Sequence, residues 1–406
     1  MRFPGFHKIY IVLTAVLLSV FSSCCEKGTD VTIDRTMLVY IAGDNNLSIY
    51  INGNINDMTG CMDAEVSGHN NLLAFVDKPY NNSFLLRIHD QKVDTVRMWD
   101  INLNSSSPEV LSMVIDYVVK EYPAESYGLL LWSHGTGWAP SSAHRYIDER
   151  QLRVPERTGS SDMNDLSGIR RPFDTTRALL ADEGSGNMDW MDIDELPQAI
   201  PDSLFDFIMF DACLMSSAEV VYGLQRKAKW IIASAVEIMA NGFPYWLVTP
   251  YFFNADYVSL CREYYDYYNS QSGIYKTAGI ALIETAQFHL VTEAFRNVVD
   301  NATVSVSDID LWQLQRCDRF RRPVMFDMMS VAEALRPGVD ALVRLNDALD
   351  HCLRYLANTE YVVSELRLNE YCGFNCFAPI AAYDGVLNPL FAETEWNRAT
   401  GLLRID

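Results

Sequence analysis

Two residues of this chain stand where a reactive pair could be presented. His134 follows the apolar run "LLLWS" (residues 129–133) and precedes Gly135, Thr136 and Gly137, while Cys213 follows "FDFIMFDA" (205–212). A cysteine nucleophile needs thiolate character, an acid–base group nearby, and donors for the oxyanion that forms on the attacked carbonyl. Histidine supplies the acid–base group. A helix starting just after Cys213 would lower the thiol pKa through its first amides, and the Cys213 N–H could face the oxyanion. Gly135 carries no Cβ, so a second backbone N–H can come close. Taken singly, a histidine after a strand is more often structural and a cysteine ending a buried strand more often core. The two together, in this order and context, point to nucleophilic chemistry.

The elements that would position them follow from the hydrophobic pattern. Residues 37–42, 72–76, 127–132, 205–210 and 230–234 are apolar runs bounded by turn residues and are expected to be buried strands. Residues 83–89 and 92–99 alternate more and are separated by Asp90 and Gln91, the pattern of a hairpin at a sheet edge. Residues 108–120 form a helix with proline in its first turn, and 216–227, 255–270, 286–301 and 339–358 have helical periodicity around a further strand at 280–284. A last short strand is expected around 374–380. The fold class is therefore α/β, a mostly parallel sheet flanked by helices, with a helical C-terminal extension. In open parallel sheets functional groups gather at the carboxyl ends of the strands, where both His134 and Cys213 fall. Between them, residues 139–176 are polar, lack apolar periodicity and carry Arg145, Arg150, Arg153, Arg157, Arg170 and Arg171, as an exposed insertion would.

The N-terminal stretch has another purpose. Arg2 and Lys8 precede an apolar run over 9–21, too short for a comfortable membrane span, then Ser22, Ser23 and Cys24. This resembles a bacterial lipoprotein signal, with residues 1–23 removed and Cys24 acylated. Phe21 stands where leucine is usual, so Cys25 stays open as the modified residue, and an ordinary secretory signal is the alternative. Either way the chain is expected to be exported, and the acylated form lipid-anchored to a bacterial cell membrane, at the outer membrane or surface. Cleavage there removes two basic residues and no acid, so the formal charge of −21 becomes −23. A surface that acidic repels nucleic acid, which is excluded as a partner. The nine cysteines are scattered and show no paired spacing with histidines, so no metal ligand is assigned. Seven cysteines beyond the signal region leave at least one thiol unpaired.

Five motifs in order carry a family resemblance: "LVYIAGDNNL" (38–47), "LLLWSHGTGW" (129–138), "DWMDIDEL" (189–196), "FDFIMFDACLMSSAEV" (205–220) and "IIASAVEIMANGFPY" (231–245). Together they resemble the clostripain peptidases, relatives of caspases, legumains and gingipains. The resemblance implies a caspase-like α/β/α sandwich that cleaves peptide bonds after arginine or lysine. It maps the family histidine onto His134 and the nucleophile onto Cys213, with no third residue assigned. Amides of Gly135 and Cys213 would hold the oxyanion. Asp211 matches an acid facing the specificity pocket, where a buried carboxylate pairs with a guanidinium through charge-assisted hydrogen bonds; bracing of the strand end is the alternative. The chain departs from the family at Ala235, Val236, Met239 and Ala240, and has Asn241 where a second pocket acid can occur.

No cofactor is certain. Calcium could be bound, as by clostripain itself, through Asp182, Glu183, Asp189, Asp192 and Asp194, although their spacing matches no EF-hand loop and helix capping is the alternative. Asp44, with Asn45 and Asn46, either borders the cleft or caps a turn. The expected organisation is a signal over 1–23, a linker over 24–35, a peptidase core over 36–300 with the insertion 139–176, and a C-terminal extension over 301–406. A zymogen matured by cleavage in the insertion fits this layout, with the Arg170-Arg171 pair as favoured site. Two rivals remain: a surface binding module on the same fold, favoured by the altered 235–241 loop, and a transferase using the same acyl-enzyme.

Overall fold

The run RTMLVYIA has almost no polar face to offer water, and β1 (Arg35–Ala42) is accordingly buried along its whole length. The computed structural model describes residues 32–140, 179–182 and 189–404, and residues 33–406 form one compact unit. After β1 come α1 (Ile51–Cys61), β2 (Asn70–Asp77) and the hairpin of β3 (Phe84–His89) with β4 (Lys92–Met98). Next are α2 (Pro108–Glu121), β5 (Ser126–Trp132), a short hairpin of β6 (Leu179–Asp182) with β7 (Asp189–Met191), and β8 (Phe205–Asp211). The chain continues through α3 (Ala218–Leu224), β9 (Ala228–Ala233), α4 (Tyr257–Asn269), β10 (Gly279–Glu284), α5 (Phe288–Asp300), α6 (Val339–Cys352) and β11 (Leu353–Asn358).

The main sheet has nine strands in the order β11-β10-β9-β8-β5-β1-β2-β3-β4. Its five central strands pair in parallel, and the two at each edge are antiparallel. Helices cover the sheet, giving the caspase-like α/β/α sandwich. Helix α2 shows why: Ser107 caps it, Pro108 opens it, and Leu111, Val114, Ile115 and Val118 recur at helical spacing as its buried stripe. At the strands' amino ends Arg35 ties the sheet together, donating to Ser126 Oγ, Phe252 O and Tyr257 Oη and pairing with Asp206 at 2.8 Å.

Two local expectations change, and one helix was not expected. The periodicity over 339–358 breaks at Cys352, and "LRYLAN" becomes strand β11, which alternates between half-buried and exposed and pairs with β10. A lone edge strand with one covered face has too weak a pattern to be separated from the preceding helix. Of 374–380 only Asn375–Cys376 is strand, paired with Phe326–Asp327 outside the main sheet. Helix α1, rich in asparagine and glycine, is not evident from propensity; it forms because Ile51, Ile55 and Met58 bury along one face. All seven described cysteines are free thiols.

Candidate active site

Strands β5 and β8 lie side by side in parallel, with Trp132 opposite Asp211, and the Ser133 N–H donates to the Asp211 carbonyl at 3.3 Å. The chain therefore leaves the sheet at two adjacent points, and His134 and Cys213 are the residues that emerge. Gly135 is pressed against the second exit: a Cβ there would stand 2.5 Å from the Cys213 carbonyl oxygen. Past Cys213 the backbone turns through Leu214 at φ +65°, a conformation that a leucine adopts only under constraint. The Leu214 N–H is held by the Val236 carbonyl at 3.1 Å.

The Cys213 thiol is buried against the segment after β9. Its sulfur accepts from the Ile238 N–H at 3.4 Å and donates to the Ile238 carbonyl at 3.8 Å. Burial, with the Glu237 carboxylate adding to it, pushes the thiol up to about 12. This differs from the sequence expectation of a lowered pKa. Strand β8 stops at Asp211 and α3 begins only at Ala218, so α3 does not start at the cysteine. Glu237 is fixed by Arg319, whose guanidinium lies 2.7 Å away and whose N–H also donates to it.

His134 is equally enclosed, and its Nε2 lies 2.6 Å from Asn46 Oδ1. An amide oxygen accepts, so Nε2 carries the hydrogen and Nδ1 is the unprotonated nitrogen of the neutral ring. Burial lowers the imidazole to about 4. The ring lies 6.2 Å from that of Trp190, on β7. The resting pair is thus a neutral thiol and a neutral imidazole, both sheltered from water.

Asp211 is sealed beneath the turn that follows Ile238. Its Oδ2 accepts from the Phe243 N–H at 3.2 Å and the Tyr245 hydroxyl at 2.5 Å, and burial still raises the carboxyl to about 6. Gly242, at φ +75°, backs directly onto that carboxylate, and any side chain there would collide with it. Asn241 sits exposed on the same turn. Asp211 and Asn241 are therefore brought together around Gly242, with the carboxylate closed off in this conformation. Trp132 and Trp138 are buried, Trp138 packing on Phe377 and Phe391.

Sequence reasoning did not find Asn46 or Trp190 as partners of His134. Asn46 lies 88 residues from the histidine, and no spacing rule links them. The turn is capped by Asn45, not Asp44, and the Asn45 Oδ1 accepts from the Leu47 N–H. Asp44 is instead buried with Asp77 and Asp182, carboxylate oxygens of all three lying within 4.8 Å of one another, a cluster that could coordinate a metal ion. Of the acids expected to bind calcium only Asp182 belongs to it; Asp189, Asp192 and Asp194 do not, and Glu183 falls outside the described residues. Cys24, Cys25 and the six arginines of the insertion also fall outside them.

Comparison with known proteins agrees with this arrangement. A model of the Clostripain family matches residues 39–163 and 168–355. Clostripain of Hathewaya histolytica is 25% identical over 246 residues, 52% of this chain and 40% of that protein, so the match spans less than half of the relative's length. The X-ray structure of an inactive zymogen C11 protease from Parabacteroides distasonis superposes with a TM-score of 0.74 at 28% identity, covering 91% of this chain and 98% of that one. A secreted C11 cysteine protease from Bacteroides thetaiotaomicron, in complex with an irreversible peptide inhibitor, gives 0.72 at 25% identity over 91% and 99%. With its matched core, sheet order and adjacent strand-end histidine and cysteine, the chain belongs to the clostripain family of cysteine peptidases.

Proposed function

We propose that the protein is an exported, lipid-anchored cysteine endopeptidase that cleaves after arginine or lysine and is made as a zymogen. The observation that carries the reading is the emergence of His134 and Cys213 side by side from β5 and β8, with the Gly135 backbone against the Cys213 carbonyl. In the mechanism the Cys213 sulfur attacks the substrate carbonyl carbon, and amides of Gly135 and Cys213 donate to the oxyanion. The thiol proton passes to His134 Nδ1 and from there to the leaving amine. Water, deprotonated by the same nitrogen, then releases the acyl group and restores the thiol.

Specificity for a basic side chain rests on Asp211, with Asn241 at the rim of the pocket. A guanidinium entering beneath the 239–242 turn would replace the Tyr245 and Phe243 donors and draw Asp211 into its ionised form. The closed turn, the protonated thiol and the low imidazole pKa suit an unactivated state, like that of the Parabacteroides zymogen. Maturation would cut within 139–176, favouring Arg170-Arg171. The peptidase core is taken as 36–300, with 301–406 packed on it and supplying β11 to the sheet. Residues 1–23 act as signal, with Cys24 acylated, and export accords with the secreted Bacteroides relative.

A positional-scanning peptide assay on protein lacking residues 1–25, with Cys213→Ala and His134→Ala beside it, tests the activity. Cleavage after Arg or Lys in wild type alone is expected; equal turnover in Cys213→Ala would refute the assignment. In parallel, N-terminal sequencing should show a new terminus inside the insertion in wild type only. Mass spectrometry of the membrane-extracted N-terminal peptide should find acyl chains on Cys24.

A further inference from the structure

We propose that Arg319, which lies in the C-terminal extension, is a positioning residue for the nucleophile: it clamps Glu237, fixes the Ile238 peptide that holds the Cys213 sulfur, and balances the carboxylate beside it. The inference rests on the peptidase reading. It makes the extension a working part of the active site.

The clamp closes on three hydrogen bonds. The Arg319 backbone N–H donates to Glu237 Oε1 at 3.0 Å, and its Nε and Nη2 donate to Oε2 at 2.9 and 2.7 Å. The two side chains are only 12% and 6% exposed, so water screens the pair poorly. Glu237 directly precedes Ile238, whose N–H donates to the Cys213 sulfur at 3.4 Å and whose carbonyl oxygen lies 3.8 Å from it. An N–H donor at that distance favours the thiolate, and any shift of Glu237 displaces it.

Arg319 is itself held from two directions. Buried Asp318 accepts from the N–H groups of Phe320, Val324 and Met325 at 2.9, 2.7 and 2.6 Å, which folds the loop that presents the arginine. On the outer side Arg319 Nη1 donates to Glu365 Oε2 at 2.6 Å. Glu365 stands on a tight hairpin that pairs Tyr361–Val362 with Leu366–Arg367. There Val363 is held at φ +53°, costly for a β-branched residue, and its N–H donates to Thr277 Oγ1 at 2.8 Å, just before β10. A second residue of the extension braces the far side of the cysteine. Asn375 Nδ2 donates to Leu214 O at 3.1 Å and to Ala235 O at 2.8 Å.

The charged groups that act on the sulfur are Glu237 and Asp211, which oppose a thiolate, and Arg319, which favours one. The Tyr264 hydroxyl, from α4, and His134, from the end of β5, face the site as neutral groups. Neutralising Glu237 and neutralising Arg319 therefore move the thiol in opposite directions. A clamp that only packs would loosen the site in the same direction from either end.

The test is iodoacetamide alkylation of the full chain between pH 7 and 9, quantified by peptide mapping, with wholly buried Cys261 as the control for local opening. At pH 8 Glu237→Gln, which keeps an oxygen for the Arg319 N–H, should alkylate at Cys213 about fivefold faster than wild type. Arg319→Gln should alkylate about fivefold more slowly, and Arg319→Lys should recover most of the lost rate. The double variant Glu237→Gln/Arg319→Gln is neutral but unclamped. Its alkylation should return close to the wild-type rate, while kcat for peptide cleavage falls about tenfold with KM little changed.

Rates at Cys213 that move the same way in both single variants, or that rise equally at Cys261, would overturn the proposal and leave the pair a packing feature. So would an unchanged kcat in the double variant. Should Arg319→Gln fail to fold, Glu237→Gln decides alone: a Cys213 rate at or below wild type refutes the charge balance. Opposite shifts at Cys213 with no peptide cleavage by any chain would refute the peptidase reading and leave the hold of Arg319 on the thiol standing.

Discussion

Asp211→Asn should make the protein more stable and less specific at the same time. In the folded chain the carboxyl is enclosed, meets only the Phe243 N–H and the Tyr245 hydroxyl, and is raised to about 6. In the unfolded chain it titrates near ~3.9. Between these values the folded state binds more protons than the unfolded one, so the wild type loses stability as pH rises from about 4 to about 6. Two units at ~1.4 kcal/mol each give a loss of about 3 kcal/mol at neutral pH. Asparagine offers an oxygen to the same two donors and has nothing to ionise. The variant's stability relative to wild type should therefore rise by about 3 kcal/mol between pH 4 and pH 8, whatever constant offset the buried amide N–H group adds. Urea unfolding of both chains at pH 4, 6 and 8, in a Cys213→Ala background that prevents self-cleavage, measures it. A difference that is flat with pH, or that falls as pH rises, would refute the reasoning, because it would mean the carboxylate is ionised and paired. With Cys213 restored, the same substitution should cost about 100-fold in kcat/KM for arginine peptides, through loss of a charged pair in a desolvated pocket.

Asn46→Ala should lower kcat about tenfold at nearly constant KM, since a single part-buried hydrogen bond of ~1–2 kcal/mol, made by an exposed Asn46, orients the imidazole. Asn46→Asp should raise the imidazole pKa from about 4, moving the acid limb of the pH–rate profile upward; an unmoved limb would exclude the contact. Gly135→Ala should destabilise by about 2 kcal/mol and abolish cleavage, because its Cβ would meet backbone at 2.5 Å. Gly53→Ala, in open space on α1, should instead stabilise by about 0.5–1 kcal/mol, and thermal melts of the two variants give the comparison. Arg35→Ala removes the ion pair to Asp206, which keeps Lys229 and the Tyr257 hydroxyl as partners, and three further hydrogen bonds, so chemical denaturation should show a loss of about 2 kcal/mol with turnover of the folded fraction unchanged.

The sequence alone determined the elements whose pattern is strong and local. The apolar runs within β1, β2, β5 and β8 marked them as buried strands, and proline in its first turn marked the start of α2. Placing His134 and Cys213 at strand ends needed no more than that, and the five ordered motifs named the family. Tertiary structure decided what depends on distant neighbours. Whether "LRYLAN" continues α6 or joins β10 is settled by the open edge beside it, not by its own periodicity. The state of the thiol was misread for the same reason: ionisation follows what encloses a group, and Cys213 is enclosed by Ile238 and the Glu237–Arg319 pair and does not open α3. Asn46 and the Asp44, Asp77 and Asp182 cluster are assembled from β1, β2, β5 and β6, over sequence separations that carry no periodic signal. Strand order creates those contacts, and strand order is a property of the packed sheet.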